Sequence, residues 1–192
     1  MEKLIEHINS KFIVLDQHIQ RENLAFVTLK SNQVVDALTC LRDTEGYRHL
    51  VMISAVDYIE KDLFQITYFL HNYHNHTDIG VRVEIDRDEA AMDSIHYLWA
   101  TAQVYQRELK EMYGIDFPGS PHVDEPMMLE GWDEMPPMRK EFKTKEYSAE
   151  TFFPREGRQS FDPKTIMEEK LYPLETEVKN EIKQRVRANR GE

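Results

Sequence analysis

Apolar positions in the first 117 residues of the chain recur at helical spacing in three places. The three predicted helices span residues 2–10, 32–43 and 98–112. Ser31 is the expected N-cap of the second helix, because a serine oxygen accepts the free N–H groups of a first helical turn. Gly114 is placed to end the third helix, and each helix has one apolar face available for a core.

Five further stretches have the composition of β-strands, and they span residues 12–15, 23–29, 50–58, 64–70 and 79–85. The polar stretch 16–22 predicts a turn between the first two strands. Apolar and polar residues alternate in the later strands, which indicates a sheet with one face exposed to water. The order helix, two strands, helix, three strands, helix predicts an α+β domain at 1–117, with helices packed on one face of a largely antiparallel sheet.

The composition of the chain changes after residue 117. All eight prolines lie at position 118 or later, and proline is excluded from helix interiors and central strands. Large apolar residues, including Trp132, Phe142 and Phe153, are scattered there without periodicity, and such side chains favour burial. We therefore predict that 118–192 is an extended, Pro-rich C-terminal arm that wraps a partner and ends in a helical stretch. The alternative is that its aromatic residues fold back onto the domain.

Charge and cysteine content restrict the possible functions. The net charge of −11, from 35 acidic and 24 basic residues, disfavours binding to nucleic acid. The single cysteine, Cys40, is insufficient for an internal disulfide, a Cys-rich zinc site or an iron–sulfur cluster. No signal peptide and no run of about 18 apolar residues is apparent, so we expect a cytoplasmic location with membrane contact through partners.

Few residues suggest chemistry within the chain itself. His71, His74 and His76 are three imidazoles in one strand connection, for which a solvated hairpin loop is favoured over a metal site. Cys40 is interpreted as a packed thiol rather than a nucleophile. Arg107 and Glu111, four residues apart on a helix, predict a surface ion pair. Phosphate-binding glycine motifs and the Gly-x-Ser-x-Gly nucleophile motif are absent from the sequence.

The third predicted helix and the turn after it resemble a known family. Residues 98–121 are LWATAQVYQRELKEMYGIDFPGSP, similar to a helix ending in Glu-Arg-Glu followed by a Tyr/Phe-Gly-Ile-x-Phe-x-Gly-x-Pro turn. This is the pattern of the C-type subunit of respiratory complex I and of its counterparts in membrane-bound NiFe hydrogenases. The matching positions are Arg107, Glu108, Tyr113, Gly114, Ile115, Phe117, Gly119 and Pro121. The resemblance extends over about 45–142 and includes Ser54-Ala-Val-Asp-Tyr and Pro137-Met-Arg-Lys-Glu-Phe.

Two departures from this family pattern stand out. Gln106 replaces the first glutamate of Glu-Arg-Glu, and Met135-Pro-Pro stands where Gly-His-Pro is usual. The stretch 132–142, followed by Thr144-Lys-Glu-Tyr, is more similar to the versions in membrane-bound NiFe hydrogenases and related ferredoxin-driven complexes.

The resemblance implies a peripheral subunit without a redox centre, which docks on the large subunit of a membrane-bound, ion-translocating oxidoreductase complex. That large subunit would form the NiFe centre or the quinone site, and iron–sulfur clusters are expected in other partner subunits. We expect partner contacts at Arg107, Glu108, Trp132, Arg139, Lys140, Phe142 and Phe153. The alternatives are the C-type subunit of NADH:quinone oxidoreductase proper and, in another class, a stand-alone metal-dependent enzyme that uses the histidines at 71–76.

Overall fold

A computed structural model describes residues 1–151 of the chain. The helices are α1 (Glu2–Lys11), α2 (Val34–Asp43), α3 (Ala102–Tyr113) and α4 (Thr144–Thr151), with short 3-10 turns at Ser31–Gln33 and Ile59–Lys61. The strands are β1 (Val14–Arg21), β2 (Leu24–Leu29), β3 (His49–Tyr58), β4 (Leu63–Asn72) and β5 (Thr77–Asp86). The chain divides into one compact unit from Met1 to Lys143 and a second that begins at Thr144 with α4.

The strands form one sheet in the order β1-β2-β5-β4-β3. Every neighbouring pair is antiparallel except the central pair, β2 and β5, which is parallel. This confirms the predicted α+β fold with a largely antiparallel sheet. The parallel pair was not predicted, since β3 and β4 separate its two strands in the chain and local periodicity does not report such pairing.

The hydrophobic core lies between the sheet and helices α1 to α3. Alternate residues of β4 point into it and are fully buried: Phe64, Ile66, Tyr68 and Leu70. Helix α2 contributes Leu38 and Leu41 to the same apolar cluster. On the opposite face of the sheet, Met52 and Val56 are exposed. One face of the sheet is therefore exposed to solvent, as predicted, and the helices cover the opposite face.

Two local predictions near the N-terminus were wrong. The stretch 16–22, predicted as a turn, lies mostly in β1, which pairs with β2 at the sheet edge. Seven of the eight residues of β1 are exposed, so burial does not impose the apolar alternation by which a strand is recognised. Ser31 is not the side-chain cap of α2, because a 3-10 turn, Ser31–Gln33, comes first. The Gln33 side chain instead accepts a hydrogen bond from the N–H of Ile13 at 3.0 Å.

The first compact unit continues beyond the end of α3. Residues 118–143 belong to it, so this part of the predicted arm packs with the core. The last helix or strand before α4 is α3, which ends at Tyr113, and the domain boundary at residue 117 stays a prediction. Phe153 and the predicted terminal helical stretch lie outside the described residues, and contact of the arm with a partner stays a prediction.

Close packing around Gly80 gives a test of the sheet. Gly80 on β5 lies between Phe26 of β2 and Phe69 of β4, and a Cβ added to Gly80 would lie 2.4 Å from Cδ1 of Phe26. We expect Gly80→Ala to lower the free energy of unfolding by about 1–3 kcal/mol, because the Phe26 ring must move. In a Phe26→Ala background the loss of stability caused by Gly80→Ala should be much smaller. Urea denaturation of the wild type, the two single variants and the double variant measures this loss in both backgrounds. Equal costs in the two backgrounds would contradict this packing.

Candidate interface region

Two side chains of α3 bind the main chain of residues 125–129. Arg107 donates from Nε to the carbonyl oxygen of Glu125 at 2.6 Å, and from its terminal nitrogen to the carbonyl oxygen of Pro126. The carboxylate of Glu111 accepts hydrogen bonds from the main-chain N–H groups of Met127, Met128 and Leu129, at 2.8 to 3.1 Å. We call this set of main-chain contacts the α3 clamp.

The α3 clamp replaces the ion pair predicted between Arg107 and Glu111. Both side chains are directed to carbonyl and amide groups of the segment, because those groups lie outside regular structure and need partners of their own. Partial burial raises the pKa of the Glu111 carboxyl, but the three N–H groups and the nearby Arg107 charge outweigh this, and the net pKa is below its ordinary value. Glu111 is therefore held as a carboxylate.

A second attachment joins the end of the unit to the core through a buried ion pair. Asp57 on β3 and Arg87 after β5 are both buried, with Oδ1 of Asp57 2.9 Å from Nε of Arg87. Glu141 reaches the same guanidinium, 2.5 Å from its terminal nitrogen. The hydrogen bond from Arg87 holds the pKa of Glu141 below its ordinary value, and the bond to Glu141 contributes most to the raised pKa of Arg87. One cation thus binds carboxylates from β3 and from the arm.

Arg139 lies beside this ion pair and binds main-chain atoms of the core. Its Nε donates to the carbonyl oxygen of Tyr113 at 2.7 Å, and its terminal nitrogen donates to that of Arg87 at 3.4 Å. The guanidinium lies 5.2 Å from the centroid of the Phe64 ring, within range of a cation–π contact. Gly114, in the left-handed conformation, permits close packing here, since a Cβ would be 3.2 Å from Pro136.

The predicted interface residues include a charged group, Arg107, Arg139 and Lys140, and an aromatic pair, Trp132 and Phe142. Arg107 and Arg139 are engaged within the unit, and the N–H of Lys140 donates to Asp57 at 2.9 Å while its side chain is exposed. The rings of Trp132 and Phe142 contact each other, with centroids 5.5 Å apart.

Glu108 is half-buried on α3, next to Arg107, and Phe153 lies outside the described residues. Of the seven predicted residues, the structure therefore brings Trp132 and Phe142 together, although they are distant in the sequence. The roles of all seven predicted residues at a partner surface stay predictions.

Sequence reasoning missed four residues that position the arm: Asp57, Arg87, Glu111 and Glu141. One of them has a signal in the sequence. Asp57 occupies an inward position of β3, in the same alternation as Ile53 and Ala55, where a charge requires a buried partner. The other three have the spacing of ordinary surface charges and become recognisable through the structure.

Gln106, the departure from the family pattern on α3, is fully buried. Its side-chain oxygen accepts hydrogen bonds from the hydroxyls of Ser94 and Ser120, each at 2.8 Å. A neutral amide at this position avoids the cost of burying an unpaired carboxylate.

His71 lies near the end of β4, and His74 and His76 lie in the connection between β4 and β5. His71 bonds through Nδ1 to Asp78 at 2.7 Å, and the main-chain N–H of His74 donates to the side chain of Asn72. In residues 1–151, no three His, Cys, Asp or Glu side chains are grouped so that they could hold a metal ion. The helices described in that range are also too short or too polar to cross a membrane.

Comparison with known proteins identifies the family. Residues 27–148 match the family described as respiratory-chain NADH dehydrogenase, 30 Kd subunit. The chain belongs to this family.

Relatives in two bacteria are C-type subunits of NADH-quinone oxidoreductases. The one from Citrifermentans bemidjiense is 33% identical over 117 residues, which cover 60% of this chain and 72% of the relative. The one from Phenylobacterium zucineum is 34% identical over 117 residues and is covered over 55% of its length. For this second relative, the match thus spans about half of the protein.

Two solved structures share the fold. A chain of the membrane-bound sulfane sulfur reductase, an archaeal respiratory membrane complex, superposes with a TM-score of 0.74 at 20% identity, covering 84% of this chain and 96% of that one. A trypsin-resistant fragment of Nqo5 superposes with a TM-score of 0.54 at 21% identity, covering 62% and 96%. At these identities the likeness establishes the fold.

The charge on Glu111 should stabilise the α3 clamp in a pH-dependent way. We expect Glu111→Gln to lower the free energy of unfolding by about 1 kcal/mol near neutral pH, since three N–H groups lose a charged acceptor that is partly screened by water. Because the folded-state pKa is lowered, this contribution is present above the ordinary value of 4.5 and is lost as pH falls through the folded value. Urea denaturation over a pH series measures it. Glu108→Gln, on the same helix, is the control, and an equal loss in both variants would contradict the clamp.

Arg139 should stabilise the isolated chain through contacts within it. We expect Arg139→Ala to lower the free energy of unfolding by roughly 1–3 kcal/mol, because the carbonyl groups of Tyr113 and Arg87 lose their donor. Arg139→Lys should restore little, since one ammonium does not reproduce the planar fork over Phe64. Lys140→Ala is the matched control and should change stability by less than about 0.5 kcal/mol. Wild-type stability of Arg139→Ala would disprove this role.

Proposed function

We propose that this protein is a cofactor-free structural subunit of the peripheral arm of a membrane-bound, ion-translocating oxidoreductase complex, and that it docks on the large catalytic subunit. Membership of the 30 Kd subunit family, over residues 27–148, is the observation that supports this most strongly. In this proposal, the chain lies on the cytoplasmic side of the membrane and contacts the membrane through its partners.

The chemistry of the chain supports a role in assembly. Its one cysteine is too few for an iron–sulfur cluster of its own. The side chains that sequence analysis assigned to a charged interface, Arg107 and Arg139, bind main-chain atoms of the same unit and so give the arm a defined path over α3 and β3. A preformed surface loses less conformational entropy when it binds a partner.

We further propose that the complex is of the hydrogenase type or a ferredoxin-driven relative, with a NiFe centre or its counterpart in the large subunit and iron–sulfur clusters in other subunits. The stretch 132–142, followed by Thr144-Lys-Glu-Tyr, favours this assignment, because it is more similar to the versions in membrane-bound NiFe hydrogenases and related ferredoxin-driven complexes.

The second candidate is the C-type subunit of an NADH:quinone oxidoreductase. The curated relatives favour it, since those from Citrifermentans bemidjiense and Phenylobacterium zucineum are both named as that part of an NADH-quinone oxidoreductase. In this case the large subunit would form a quinone site in place of a NiFe centre.

Purification of the native complex through a tag on this chain tests the proposal. We expect co-purification of a large subunit and iron–sulfur subunits from detergent-solubilised membranes, with iron and nickel in the complex and no metal in the separately expressed chain. Iron without nickel, together with quinone-dependent NADH oxidation, would favour the second candidate. A tagged chain that leaves native membranes as a monomer, or that holds a redox group by itself, would disprove both.

A further inference from the structure

The α3 clamp leaves two methionine side chains exposed. Met127 and Met128 are 40% and 55% exposed, although their N–H groups are bound by Glu111. The hydrogen bonds that Arg107 and Glu111 make with the segment are all to main-chain atoms, so they do not involve the side chains of these methionines. Two adjacent exposed methionines on a fixed main chain form an apolar surface that can adapt to the shape of a partner.

Acidic side chains border this apolar surface. Residues 122–134 contain no lysine or arginine and five carboxylates: Asp124, Glu125, Glu130, Asp133 and Glu134. Asp124 is paired with Lys110 at 2.5 Å, and Glu125 with His122 at 2.7 Å. The other three are exposed, and they make no ion pair with any residue in the described part of the chain.

A turn over residues 129–132 follows the two methionines, with Glu130 inside it and Asp133 and Glu134 directly after it. The N–H of Trp132 donates to the carbonyl oxygen of Leu129 at 3.0 Å, and Gly131 in this turn has a φ of 76°. Glu134 and Leu129 line one cleft of about 260 Å³ beside α3. Glu134 therefore lies beside the segment that the α3 clamp holds.

We propose that Met127 and Met128 dock on an apolar patch of a partner protein, and that lysine or arginine residues at the border of that patch face Glu130, Asp133 and Glu134. This proposal rests on the proposed function, because the partner is taken to be the subunit on which this chain docks. It adds that the docking surface of that subunit is apolar with a positively charged border. A second copy of this chain is disfavoured as the occupant, since it would oppose acid to acid in a protein of net charge −11.

Methionine oxidation in the tagged native complex tests the apolar contact. We expect dilute hydrogen peroxide to oxidise Met127 and Met128 about tenfold more slowly in the complex than in the isolated chain, as for side chains in an interface core. Met52, 43% exposed on the open sheet face, is the internal control for general reactivity. Equal rates for Met127 and Met128 in the two samples would overturn the inference while leaving the proposed function intact. A chain that co-purifies with no partner would overturn both.

Zero-length carbodiimide cross-linking of the same complex tests the charged border. We expect links from Glu130, Asp133 or Glu134 to lysines of one partner subunit, and a Glu130→Lys/Asp133→Lys/Glu134→Lys variant should be retained about tenfold less by that partner. The charge-matched control is Glu2→Lys/Glu22→Lys/Glu60→Lys, at exposed positions on other parts of the fold. Links to a second copy, links to lysines of the chain's own residues 152–192, or full retention of the variant would each overturn the proposed border.

Discussion

The path of the arm over the core depends on the need to pair one buried carboxylate. Asp57 occupies an inward position of β3 among apolar residues, and a charge at that depth is costly unless it is bound. Arg87 supplies the cation, but Glu141 and the N–H of Lys140 complete the group, and both come from the arm. A buried ion pair adds little net stability, because both charges lose their water. Its main effect here is to select one arrangement of the chain, the one in which the charges are paired. The buried pair of Asp57 and Arg87 is therefore completed by Lys140 and Glu141.

The same principle extends along α3. Arg107 and Glu111, in the C-terminal half of the helix, bind the main chain of 125–129, and Arg139 donates to the carbonyl of Tyr113, the last residue of the helix. These contacts use the polar groups of irregular main chain, which need partners wherever water is excluded. Because main-chain groups satisfy the clamp, the side chains of the segment are not required to fold it. They remain available for recognition, as expected of a loop on a rigid support.

Family membership and the contacts within the structure both support the proposed role as a subunit that docks on a partner. The family match assigns the chain to the 30 Kd subunits of respiratory NADH dehydrogenase. The structure adds how such a chain can present a surface: an acidic, methionine-containing loop is fixed by a helix whose own sequence contains the family pattern. The charges of that helix serve the fold directly, and the proposed partner contacts fall on the residues that the helix positions.

Local residue patterns were sufficient to predict the elements with strong periodicity, β3, β4, β5 and α3, together with the α+β class and the family resemblance at 98–121. These features depend on residues close together in the chain, whose spacing reports which face is buried. Tertiary structure alone decided the exposed strand β1, the parallel pairing of β2 with β5, and the partners of Arg107, Glu111 and Arg139. A long polar side chain can bind any group within its reach, and which group lies there is set by the packing of distant segments.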